Sequence, residues 1–154
     1  ALALPELLLW QPRATFLWYG LGQIQLKAGD PQRARRAFDV CLASGGSRYL
    51  WQHASLAQTR CGEHVRAIEL ARKAQASVPQ FATPVYRLIR ALVSSGRAEA
   101  AEEALELFEK SGIQAKIGNK GELWRVLARA HLILGDADGV KECEENAERR
   151  PTVR

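Results

Sequence analysis

Gly29, Gly62, Gly96 and Gly135 recur at intervals of 33, 34 and 39 residues. Trp18, Trp51, Val85 and Trp124 keep the same intervals eleven residues earlier, and Ala34, Ala67, Ala101 and Val140 keep them five residues later. A period in this range means stacked supersecondary units, each too small to bury its own apolar face. The spacing of apolar residues between the glycines is helical. Trp18, Leu21, Gly22 and Gln25 form one stripe, and Ala34, Phe38, Cys41 and Leu42 form the next. Gly29 ends the first helix, and Asp30-Pro31 opens the second as an N-cap followed by proline at the first helical position.

The later periods repeat the scheme. Trp51, Ala54, Ser55 and Gln58 precede Gly62, with Ala67, Ala71 and Ala74 after it and Pro79 as terminator. Thr83-Pro84 reads as another cap, followed by Val85, Leu88, Ile89 and Leu92 up to Ser95-Gly96, then Ala101, Leu105 and Phe108. Trp124, Leu127, Ala128 and His131 lead to Gly135-Asp136, then Val140 and Ala147, with Pro151 as stop. The stretch SGIQAKIGNKGE adds about five residues between the third and fourth periods, predicting a longer surface loop or a slight extension of a helix.

This pattern resembles the tetratricopeptide repeat, a helix-turn-helix unit with a signature of Trp, Leu-Gly, Tyr, Ala, Phe, Ala and Pro. Trp18 to Phe38 (WYGLGQIQLKAGDPQRARRAF) is a close match, and Ala67 to Pro79 (AIELARKAQASVP) matches a second helix with its terminator. Gln25, Gln58 and Leu92 depart from the signature tyrosine. The resemblance implies an all-α, right-handed superhelix of paired antiparallel helices. Units are expected near 15–47, 48–81, 82–115 and 121–150, within an array spanning 15–150. Residues 1–14 read as a remnant of a preceding repeat or an N-terminal cap, and 151–154 as a tail. LLLWQP (Leu7 to Pro12) looks like the end of a second helix, and methionine is missing altogether, so a larger parent protein is expected. The glutamate-rich last helix reads as a solubilising cap.

In such arrays the first helices line a groove and the second helices face outward. Residues one position after the Trp-Leu stripe lie about 100° round the helix, on a different face. That face assigns Tyr19, Gln23, Lys27, Tyr49, Gln52, His53, Arg60, Tyr86, Arg87, Arg90, Arg125 and Arg129 to a binding groove, with Phe16 beside Tyr49 at its entrance. Glu122 is the one acid on these helices, whereas the outer helices of the later units carry Glu99, Glu102, Glu103, Glu106, Glu109 and Glu142 to Glu148. The formal net charge of +5 therefore hides a segregation of sign. A concavity of one sign concentrates ligands of the other, and guanidinium groups suit carboxylates. The expected partner is a protein carrying an acidic or amphipathic peptide segment. The carboxylate clamp of the family is not matched: Tyr19, Gln23, His53 and Thr83 occupy its lysine and asparagine places, and only Arg87 fits.

Two rival readings follow from the same residues. A pentatricopeptide-like array could bind RNA or another polyanion through the basic groove and an outer strip of Arg33, Arg35, Arg36, Arg66, Arg72 and Lys73. Self-association through the N-terminal repeat edge is the other. Catalysis finds no nucleophile elbow, HExxH or Walker spacing, so no enzyme activity and no cofactor are expected. Cys41, Cys61 and Cys143 form no CxxC pair, and Cys61 with His64 supplies too few ligands for zinc, so no metal is expected. Unpaired thiols favour a reducing compartment such as the cytoplasm. Among the histidines, His131 reads as a core-facing spacer, His64 as exposed and His53 as facing the groove. Trp18, Trp51 and Trp124 share the packing register and read as core.

Overall fold

The computed structural model describes residues 14–117 and 120–149, and the readings placed on Leu7 to Pro12 and on Pro151 lie outside them. Among the described residues the chain forms eight α-helices and one 3-10 turn, with no strand. They are α1 (Ala14–Lys27), α2 (Pro31–Ala43), α3 (Arg48–Arg60), α4 (His64–Ser77), α5 (Ala82–Ser94), α6 (Ala98–Ser111), α7 (Lys120–Ile133) and α8 (Ala137–Glu148), with the 3-10 turn at Ile113–Ala115. Two compact units divide the chain, Ala1–Ser77 and Val78–Arg154. In the first, α1 packs on α2, α2 on α3 and α3 on α4; in the second, α5 packs on α6 and α7 on α8, with α7 also against α5 and α6.

The turns inside the pairs explain the glycine column. Gly29, Gly62, Gly96 and Gly135 have φ of 81°, 80°, 71° and 72°, the left-handed region that costs a side-chain-bearing residue about 1–2 kcal/mol. At three of these turns the next amide reaches back five residues: Asp30 N to the Gln25 carbonyl, Glu63 N to Gln58 and Asp136 N to His131, each at 2.9 Å. Carbonyls that a helix end would leave unpaired are thereby satisfied. Asp30 and Asp136 then cap the following helices, accepting from Arg33 N at 3.1 Å and Gly139 N at 3.0 Å. The Thr83-Pro84 reading is corrected here. α5 starts at Ala82, behind Phe81, which makes no side-chain cap bond, so Thr83 and Pro84 sit in the first turn, where proline lacks only an amide that had no helical partner.

Packing in the first unit centres on Phe38, which is completely buried among Leu26, Ala34, Cys41, Leu50, Ala54, Ala57 and Leu70, with Trp18, Tyr19 and Trp51 against them. The repeat alanines Ala34, Ala67 and Ala101 are fully buried, because two helices close to short range only where one side chain is small. Gly22 supplies the same closeness on α1: a Cβ there would lie 2.6 Å from Cε1 of Phe38. In the second unit Val85, Leu88, Ile89, Leu92, Ala101, Ala104, Leu123 and Leu127 are buried. The inserted stretch is part of this packing, since it turns at Gly112 (φ 60°) and delivers a buried Ile113 beside α5. Trp124 packs edge-on against Phe108, with ring centroids 5.5 Å apart.

His131 departs from its reading as a core-facing spacer. It is half-buried, and its Nδ1 lies 2.9 Å from Oδ2 of the capping Asp136, above a Gly139 whose missing side chain makes the room. The amide of Gly139 is the main influence holding the Asp136 carboxyl below the ordinary aspartate value, and His131 adds to it. His64 is half-buried rather than exposed.

A matched pair of substitutions tests this packing. Gly22→Ala forces the sealed Phe38 ring to shift and should cost roughly 1–3 kcal/mol in urea unfolding. Gly20→Ala meets nothing within 4 Å, as the space around that position is open. It should gain about 0.5–1 kcal/mol through the lower entropy of the unfolded chain. Equal effects of one sign at both positions would contradict the contact.

Candidate functional site

In the first unit α1 and α3 border two clefts, one of them closed at its base by α2. One is bounded by Gln23, Leu26, Lys27, Gly29, His53, Leu56 and Arg60, with a volume of about 420 Å³. It is cationic, because neither α1 nor α3 contains an acidic residue. The other, of about 620 Å³, lies toward the N-terminal ends of the same helices. Phe16, Tyr19 and Tyr49 wall it, Cys41 and Leu50 lie beneath, and the backbone of Ser44 to Ser47 forms its rim.

A polar bridge separates the clefts. Nδ1 of His53 lies 2.9 Å from the Tyr49 carbonyl and 2.9 Å from the Tyr19 hydroxyl. A carbonyl only accepts, so the proton of a neutral ring is assigned to Nδ1 and the Nε2 lone pair is left facing the amide of Gln23 at 3.4 Å. The same Gln23 amide donates to the Tyr19 hydroxyl at 3.4 Å. The rings of Tyr19 and His53 meet edge to face at 5.5 Å, over the buried ring of Phe38. This bridge ties α1 to α3 and fixes the aromatic wall of one cleft to the polar wall of the other.

Among the sequence-derived residues of this unit, Lys27 and Arg60 are exposed, and Arg60 is steadied by donating from Nη1 to the Leu26 carbonyl at 3.1 Å. Tyr49 is 56% exposed, with the Arg48 guanidinium 4.7 Å from its ring centroid and donating to its hydroxyl at 2.6 Å. Gln52 needs correcting. It is only 8% exposed and lines neither cleft, since its neighbour His53 holds the outward direction in that turn. Leu26 and the Ser44–Ser47 rim were not among the assigned site residues. Leu26 was legible, as it follows Gln23 by three residues and shares its helix face. The rim has no periodic signal.

The second unit presents a different arrangement. Arg90, read as a groove cation, forms an ion pair with Glu122, Nη1 to Oε1 at 3.2 Å, so the lone acid on the first helices neutralises it. Its guanidinium stands 5.8 Å from the ring centroid of Tyr86. The Tyr86 hydroxyl is buried beside the Arg90–Glu122 pair. Burial pushes its phenol up to about 12, with Arg90 opposing and Glu122 adding to the rise. Arg87 is half-buried and engaged, while Arg125 and Arg129 are exposed on α7.

The outer basic strip is largely neutralised by its own surroundings. Arg33 pairs with Asp30 at 3.5 Å, Arg35 with Glu63 at 3.7 Å and Arg66 with Glu69 at 3.1 Å. Cys41 donates its Sγ–H to the Thr15 carbonyl at 3.4 Å, and burial pushes its thiol up to about 11. Burial also raises Cys61 and Cys143. Among the described residues no group of three or more His, Cys, Asp or Glu side chains is placed to hold a metal ion.

No protein-family model matches the chain, and no curated protein sequence matches it. Its fold does match solved structures. Superposition on the crystal structure of MamA gives a TM-score of 0.72 over 92% of this chain and 81% of that one, at 19% sequence identity. That likeness and the consecutive packed pairs make the fold all-α and like a tetratricopeptide solenoid.

Tyr86 yields a titration with a definite sign. The folded phenol keeps its proton above the ordinary value of 10, so its contribution to stability is intact below that pH and lost as pH rises toward about 12. Tyr86→Phe has no ionisable phenol and so no such loss. Relative to wild type, the variant should therefore gain stability progressively from about pH 10 upward in urea unfolding. A difference that stays flat with pH would contradict the buried phenol.

Proposed function

We propose that this chain is a tetratricopeptide-repeat array, with units near 15–47, 48–81, 82–115 and 121–150, serving as a non-catalytic protein-interaction scaffold. The first helices of the first unit hold an acidic or amphipathic segment of a partner protein. The observation that carries this reading is the cationic cleft, where Lys27 and Arg60 stand beside Gln23 and His53 with no acid on either helix. Its volume of about 420 Å³ is in the range of side-chain and small-ligand pockets. Arg125 and Arg129 offer a second exposed cationic face on α7. Arg90, already paired, serves to hold Tyr86 and Glu122 rather than to supply free charge.

A polyanion partner finds less support, because the outer strip that would track phosphates has Arg33, Arg35 and Arg66 engaged with acids. Nucleic acid bound mainly through phosphates would also show a steep loss of affinity with salt. A non-catalytic role agrees with thiols held protonated by burial and with a His53 committed to bridging two helices. Among the described residues, no helix is long and apolar enough to cross a membrane.

Charge reversal separates the faces. Lys27→Glu should weaken an acidic peptide by about tenfold or more, equivalent to about 1.4 kcal/mol. Arg36→Glu and Lys73→Glu on the outer helices should leave it within about twofold, as rim charges remote from a ligand contribute little once screened. Fluorescence anisotropy at two salt concentrations reads both. Undiminished binding to Lys27→Glu, or greater loss in the outer-face variant, would overturn the assignment.

A further inference from the structure

The two clefts of the first unit differ in chemistry and lie on the same pair of helices, which constrains the ligand more than either does alone. The apolar cleft takes its walls from residues 15, 16 and 19 of α1 and 49 and 50 of α3. The cationic cleft takes its walls from residues 23, 26 and 27 of α1 and 53, 56 and 60 of α3. Their centres are therefore about eight residues apart along each helix, or roughly 12 Å at 1.5 Å per residue. The Tyr19–His53–Gln23 bridge stands between them.

We infer that the first unit reads a bipartite peptide motif: an aromatic or large aliphatic side chain seated between Phe16 and Tyr49, and a carboxylate held at Lys27 and Arg60. The spacing between the two is about four residues in an extended segment, at roughly 3.3 Å per residue, or about eight in a helical one. This rests on the reading of the α1–α3 face as a peptide site, and adds to it an order and a distance.

Three observations point to that occupant. Phe16 is 77% exposed and Tyr49 56% exposed, and both border the apolar cleft. Exposed aromatic rings around an apolar floor gain most from covering by another apolar side chain. Second, the Arg48 guanidinium over Tyr49 braces that wall, so the ring is held open without a ligand. Third, sign complementarity favours a carboxylate at the far end: Lys27 and Arg60 are exposed there and meet no acid on either helix. The hydroxyl of Tyr19 is tied to His53 while its ring walls the apolar cleft, so the distance between the anchors is set by the fold.

The test uses capped synthetic peptides carrying one phenylalanine and one aspartate separated by Gly/Ser spacers of about one to about nine residues, in both orders. Binding to the full chain is followed by amide chemical-shift titration, which detects weak complexes. Affinity should peak near a separation of about four or about eight residues. The matched peptide should lose about tenfold on Phe16→Ala, Tyr49→Ala double substitution, whereas a peptide with alanine for phenylalanine should be indifferent to that change. Both positions are exposed, so the substitutions remove no core side chain, and a far-UV spectrum and urea midpoint matching wild type verify the fold. Lys27→Gln should show the same coupling to the aspartate. Acidic peptides that bind α1 and α3 with no dependence on the aromatic residue or on spacing would overturn the bipartite motif and leave the peptide-site reading standing. Absence of any peptide shift on α1 and α3 would overturn both.

Discussion

Every pair of helices in this chain is closed by a glycine in the left-handed region, and the rest of the structure depends on that reversal. With Gly29, Gly62, Gly96 and Gly135 at φ between 71° and 81°, the second helix of each pair returns along the first after three residues. The short return leaves no slack, so the packing face of each helix is fixed by its distance in sequence from the turn. Ala34, Ala67 and Ala101, five residues beyond their glycines, are fully buried as a result. Phe38 reaches the α1 backbone at Gly22 for the same reason. Replacing a turn glycine would cost about 1–2 kcal/mol through the strained backbone alone.

Once one face of α1 and of α3 is committed to packing, part of each helix is left facing the solvent. What distinguishes these faces is where charge stays unmatched. On the outer helices of the first unit several cations meet a partner within a turn or across a loop, as with Arg33 and Asp30 or Arg66 and Glu69. Such exposed pairs contribute little to stability, about 0–1 kcal/mol each, but they cancel local potential. Arg90 and Glu122 do the same inside the second unit. Lys27 and Arg60 stand on helices without acids, which is why the proposed carboxylate is placed in their cleft.

Much of this was legible in the sequence, because turns and close contacts leave single-residue marks. A glycine needed for positive φ, an alanine needed for close approach and an Asp-Pro cap each announce themselves at a fixed offset. The placement of α2 between Asp30 and Ala43 follows from those marks. The start of α5 at Ala82 did not, since Phe81 makes no cap bond and Thr83-Pro84 offered a stronger local signal. Nor did the burial of Gln52, where one face boundary runs between adjacent residues and only packing decides which side turns outward. The Arg90–Glu122 pair joins residues on different helices, and no periodicity in the sequence encodes such a partnership. Ile113 was hidden in a stretch that read as a loop insertion, although it is buried beside α5.

The central claim is that a partner segment lies on α1 and α3 of the first unit. Hydrogen exchange resolved by residue, with and without a saturating peptide that carries spaced phenylalanine and aspartate residues, tests it most directly. Ligand contact and stiffening of the bridge through Tyr19, Gln23 and His53 should slow exchange in α1 and α3, with smaller changes in α2 and α4. Protection confined to the outer helices α2 and α4, with α1 and α3 unchanged at saturation, would contradict the account.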